Sequence, residues 1–108
     1  MEYVLSRFKI IPGKKERTES FLKHLHENHQ REMADVMKEA KMMLDCSFVE
    51  SNVHGDFLYI FKKLENHNQL IDHIENSKQE IYSQIRSWAK ECVEKVDDLS
   101  PVATFDLL

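Results

Sequence analysis

The chain has 108 residues, 42% of them hydrophobic and 31% charged, with a formal net charge of −4. That length suits a single domain, 1–108, with one core, and a mildly acidic chain without a Lys/Arg stripe lacks the electrostatic footprint of a nucleic-acid binder. No apolar run approaches the roughly 20 residues that span a bilayer, so no membrane segment is expected. The two cysteines, Cys46 and Cys92, form no CxxC spacing; each reads as a small buried hydrophobe, which fits a reducing cytoplasm.

Tyr3 to Ile11 reads as the first strand, with Val4, Phe8 and Ile10 on one face and Tyr3, Leu5, Arg7 and Lys9 on the other. Pro12-Gly13 stops it. The following segment, KKERTESFLKHLHENHQREMADVMKEA, contains no Gly or Pro. It predicts a long helix from about Lys14 to about Ala40, broken once near Gln30. Phe21, Leu22, Leu25, Met33, Val36, Met37 and Ala40 recur at helical spacing as a packing stripe, and His29 falls on that stripe.

Met42 to Leu64 predicts a β-hairpin, MMLDCSFVES and FLYIFKKL, around Asn52-Val53-His54-Gly55-Asp56, with Gly55 supplying a positive φ. In the first hairpin strand Met42, Leu44, Cys46 and Phe48 alternate with Met43, Asp45, Ser47 and Val49. In the second, Phe57, Tyr59 and Phe61 alternate with Leu58 and Ile60. A strand apolar on two sides must be central and covered twice, whereas one helical layer covers only one face. Residues 66 to 93 predict two helices, carrying Leu70, Ile71 and Ile74, then Ile81, Ile85, Trp88, Ala89, Cys92 and Val93, with a break at Asn76-Ser77 and a new start near Lys78. Val96 to Ser100 reads as a polar connection, its Asp97-Asp98 pair as solvated turn formers, and Pro101 as the lead into a final strand, Val102 to Leu108.

The order strand, helix, strand, strand, helix, strand is that of a ferredoxin-like α+β subunit with a four-stranded antiparallel sheet. Phe8-Lys9-Ile10-Ile11-Pro12-Gly13-Lys14, followed by the long amphipathic helix, the hairpin and a Trp-bearing helix, resembles small bacterial proteins of no established activity in the dimeric α/β-barrel superfamily. That group also contains the antibiotic-biosynthesis monooxygenases and the haem-degrading monooxygenases. The resemblance implies two subunits with their sheets face to face, which supplies the second cover, and a ligand site between sheet and helices toward which His29 and Trp88 would point.

Three functions follow as expectations. The first is a homodimer binding a small apolar or metabolite ligand, with His29, Tyr59 and Trp88 as candidate ligand-binding residues. The second is a cofactor-free or haem-linked monooxygenase-like enzyme with His29 as the candidate catalytic residue. The third is a protein-interaction module. The haem set that the resemblance implies is not matched: Ser6 and Arg7 stand where an Asn belongs, Phe61 where a Trp belongs, and no histidine follows His73. No cofactor is expected. His26 and His29, at i, i+3, share a helix face but lack a third ligand, so no metal is expected either. Phe57, Tyr59 and Phe61 suit a dimer interface better than a stacking platform.

Overall fold

The extended segment at the start of the chain ends where Pro12 removes a donor and Gly13 turns with φ +86°. In the computed structural model, which describes residues 1–107, this segment is β1 (Glu2–Ile10). It is followed by α1 (Lys15–Asn28), α2 (Gln30–Glu39), β2 (Met42–Asn52), β3 (Gly55–Leu64), α3 (His67–Asn76), α4 (Glu80–Cys92) and β4 (Val93–Leu99). The strands form one antiparallel sheet in the order β2-β3-β1-β4. This is the ferredoxin-like α+β fold, with β3 and β1 central, as the two-sided apolar pattern of β3 requires.

The long helical segment breaks at His29, whose φ of −130° and ψ of 32° leave the helical region. Its N–H still bonds to the Leu25 carbonyl, while its own carbonyl accepts from Met33 N–H, so one residue closes α1 and opens α2. Gly55 takes φ +126° at the hairpin turn, a backbone state that a side chain would strain.

Helices cover one face of the sheet. Val4, Ile10, Leu58 and Leu64 from the sheet are buried with Phe21, Leu25, Val36, Leu70, Ile81, Tyr82, Trp88 and Cys92 from the helices. Trp88 stacks on Phe21 at 5.7 Å and 7°, and meets Phe8 edge-on at 5.8 Å. Leu5, Cys46, Phe57, Tyr59 and Phe61 lie half-buried on the other face, with Leu44 and Phe48 exposed beside them.

Two strand expectations are corrected. Val96 to Ser100 is not a connection: β4 follows α4 directly and pairs with β1, with Ser6 opposite Asp98 and Arg7 opposite Asp97. It reads as polar because it is an edge strand, where charged side chains face water and discourage further pairing. Residues 102–107 form no strand, and Leu108 lies outside the described residues. A register shift between Met42 and Leu44 also turns Met42 toward the helices, so it is buried while Leu44, Cys46 and Phe48 face away.

Candidate functional site

Period-2 alternation places Leu58, Ile60, Lys62 and Leu64 on the helix face of β3, and Val4, Ser6 and Phe8 on that face of β1. Two polar residues therefore enter the core. Ser6 is 1% exposed and Lys62 5%. The antiparallel register brings Asp98 beside Ser6, and the first residue of α3, His67, closes the group from above. Asn66 fixes that helix start by accepting from Gln69 N–H at 3.0 Å, while Glu2 accepts His67 N–H at 3.2 Å.

The side chains form a chain of hydrogen bonds. Lys62 Nζ donates to Ser6 Oγ at 2.8 Å, Ser6 donates to Asp98 Oδ1 at 2.5 Å, and His67 Nε2 lies 3.1 Å from Asp98 Oδ2. With its Nε2 proton on Asp98, neutral His67 presents Nδ1 as an acceptor, and that atom is buried without a hydrogen-bond partner. The Lys62 ammonium has three N–H groups and, among the described residues, one hydrogen-bond acceptor.

Burial lowers the Lys62 amine below the usual lysine range, against the opposing charges of Asp98 and Asp45. At Asp98, burial pushes the carboxyl up. The hydrogen bonds from Ser6 and His67, with the charge of Lys62 and, whenever the ring is protonated, that of His67, outweigh that push and hold it below its ordinary value. A carboxylate is thus held ionised between a serine and a histidine, close to an amine that is easier to deprotonate than a surface lysine. Such a set can bind an oxygen-bearing group and pass a proton along a connected line.

Beside this group, the ends of β1 and β4 frame a shallow depression of about 410 Å³, lined by Glu2, Tyr3, Val4, Ser100, Pro101 and Thr104 among others. Glu2 is shared between the depression and the first turn of α3.

The structure does not bring His29, Tyr59 and Trp88 to one place. Trp88 is buried on the helix face, and its indole N–H is directed to Thr18 Oγ1 at 3.2 Å. Tyr59 stands on the open face and donates to Glu50 at 3.0 Å. His29 sits at the α1–α2 break, where its Nε2 lies 3.1 Å from His24 Nε2. Its ring partner is therefore His24 rather than the His26 suggested by spacing. Ser6, Lys62, His67 and Asp98 escaped sequence reasoning, and Asp97 and Asp98 are strand residues rather than turn formers. One signal was present: Lys62 continues the alternation of Leu58 and Ile60 and is followed in phase by Leu64, which places a lysine at a core position.

Fold and site together define a ferredoxin-like α+β chain with a polar group set into its core. Residues 1–107 match DUF6176, a family of unknown function, and the chain belongs to it. No curated protein matches it in sequence. Among similar solved structures, PA3566 from Pseudomonas aeruginosa has a TM-score of 0.58 and 17% identity, covering 94% of this chain and 93% of that one. The L-rhamnose mutarotase FA22100 from Formosa agariphila has a TM-score of 0.59 and 14% identity, over 100% of both chains. A Bacteroides thetaiotaomicron protein provisionally assigned as an antibiotic biosynthesis monooxygenase has a TM-score of 0.60 and 14% identity, over 99% of this chain and 92% of that one. At such identities the likeness establishes the fold. Among the described residues, no helix is long and apolar enough to cross a membrane.

Proposed function

We propose that this chain is one subunit of a homodimer and binds a small hydroxyl- or carbonyl-bearing metabolite on the helix side of its sheet, at Lys62, Ser6, Asp98 and His67. The observation that carries the ligand reading is the buried network with two unused valences: spare Lys62 N–H groups and the unpartnered Nδ1 of His67. A buried ammonium is costly, and apolar residues of similar volume are often as stable or more so, so stability alone gives little reason for Lys62 at a core position. A ligand oxygen accepting from Lys62 and a ligand hydroxyl donating to His67 Nδ1 complete the set. Entry is from the depression at Glu2, beside the first turn of α3.

The dimer reading is supported by the open sheet face, where Leu5, Leu44, Phe48, Phe57, Tyr59 and Phe61 form an apolar surface of the kind that homodimers bury. The likeness to a sugar mutarotase agrees with a hydroxylated ligand. The oxygenase reading draws less from the geometry, since the Trp88 ring is enclosed by Phe8 and Phe21.

A panel of sugars, hydroxy acids and oxo acids, screened by thermal shift and by NMR of the His67 ring, tests the site. The expected result is a hit that shifts the His67 resonances and is lost in Lys62→Met. Hits that leave the His67 resonances unmoved, or that survive Lys62→Met, would overturn this placement of the ligand.

A further inference from the structure

We infer that His24 and His29 form a two-nitrogen chelate for a divalent transition-metal ion of the Zn²⁺ or Ni²⁺ type. In an unbroken helix, residues five apart are separated by about 140° around the axis and do not meet. The break at His29 brings the two rings round to each other, with centroids 4.8 Å apart at 69° and Nε2 atoms 3.1 Å apart. Two imidazole nitrogens bound to one Zn²⁺ at about 2.05 Å stand roughly 2.9 Å apart for a right angle and roughly 3.4 Å for a tetrahedral one. The observed separation lies between these limits, so an ion enters with small ring rotations.

The outer nitrogens also have polar neighbours. His24 Nδ1 lies 3.1 Å from the Asn28 side-chain amide, and His29 Nδ1 lies 3.7 Å from Glu32 Oε2. When Nε2 binds a metal, Nδ1 carries the ring proton and needs an acceptor. The Glu32 carboxylate provides one, and turning the Asn28 amide by 180° presents its oxygen as the other. Supporting acceptors of this kind fix the tautomer that a metal requires. Without the ion, only one of the two facing nitrogens can carry a proton. The metal takes the place of that proton, so metal and proton compete for the same two nitrogens.

Among the described residues, no group of three or more His, Cys, Asp or Glu surrounds one point. Water therefore fills the remaining positions, leaving the ion open to a small external ligand. His24 also lines the groove between α1 and α4 with Arg17 and Glu80, so the ion sits beside that groove. The site is separate from the network around Lys62, and it makes His29, the candidate catalytic residue of the sequence, a metal ligand.

The test is titration of the intact chain with ZnCl₂ or NiCl₂ at pH 7.5, followed by calorimetry and by imidazole NMR, for the wild type and for His24→Gln, His29→Gln and His26→Gln. All three positions are accessible, and circular dichroism checks that each variant is folded. The expected result is saturable binding that perturbs the His24 and His29 rings together, weakens by roughly tenfold or more in His24→Gln and His29→Gln, and is unchanged in His26→Gln. Absence of saturable binding, binding retained in His24→Gln and His29→Gln, or an equal loss in His26→Gln would overturn the assignment.

Discussion

On the helix side of the sheet Leu58 is fully buried, whereas on the other side Phe48, one strand away, is 60% exposed. Both faces carry aromatic side chains, yet among the described residues the helices cover only one. On the covered face, apolar packing encloses a line of polar groups, Lys62, Ser6, Asp98 and His67, each tied to the next. On the open face, aromatic rings stand beside edge-strand charges such as the Arg7–Asp97 pair at 3.2 Å, and no helix covers them. On the proposed function, a buried residue on the first face supports stability and the ligand site, while an apolar residue on the second supports association. Mutations should separate the two roles.

The largest effect is expected at Leu58→Ala, which opens a cavity in the core between sheet and helices and should cost about 2–5 kcal/mol in chemical denaturation. Asp98→Ala comes next. It leaves the partly buried donors of Ser6 and His67 without their acceptor, and about 1–3 kcal/mol of destabilisation is expected. The same variant should change the acid limb of the stability curve. The folded value of Asp98 lies below the unfolded 3.8, so its contribution is complete above that pH and is lost as pH falls through the folded value. Asp98→Ala should lack this loss, which acid titration followed by circular dichroism measures.

Lys62→Met should be smaller and opposite in direction. Removing a buried ammonium and keeping its volume is expected to leave stability unchanged or raise it by about 1 kcal/mol. Lys62 ionises below its unfolded 10.5, so between those values the unfolded chain holds the extra proton and stability rises with pH. Tyr82 works against this trend: burial, with Glu39 nearby, pushes its hydroxyl up from 10.0 to about 12, so its contribution is lost as pH climbs through that range. The difference between wild type and Lys62→Met isolates the lysine. Phe48→Ser should change subunit stability least, within about 0.5 kcal/mol at low concentration, while weakening self-association measured by sedimentation.

Local patterning made much of the covered face legible in advance. Pro12-Gly13, the gap-free helical stretch, the Gly55 turn and the alternation in β3 each act through neighbouring residues, so the element order and a helix break near Gln30, one residue from its place at His29, could be read directly. The site could not be read in this way. Ser6, Lys62, His67 and Asp98 come from four separate elements and meet only through sheet register, which a single chain's periodicity does not encode. β4 was hidden for a related reason, since an edge strand of alternating charge looks like a loop until its partner is known. The His24–His29 pair depended on the angle of a helix break, and i, i+3 spacing pointed to His26 instead.

Closure of the open face by a second copy of the chain is measured by light scattering on a size-exclusion column across a range of concentrations, with Phe48→Asp beside the wild type. The expected result is a wild-type mass of twice the 12.8 kDa chain and a folded variant shifted toward the monomer. A wild type that stays monomeric at every concentration, or a Phe48→Asp dimer as tight as the wild type, would contradict it.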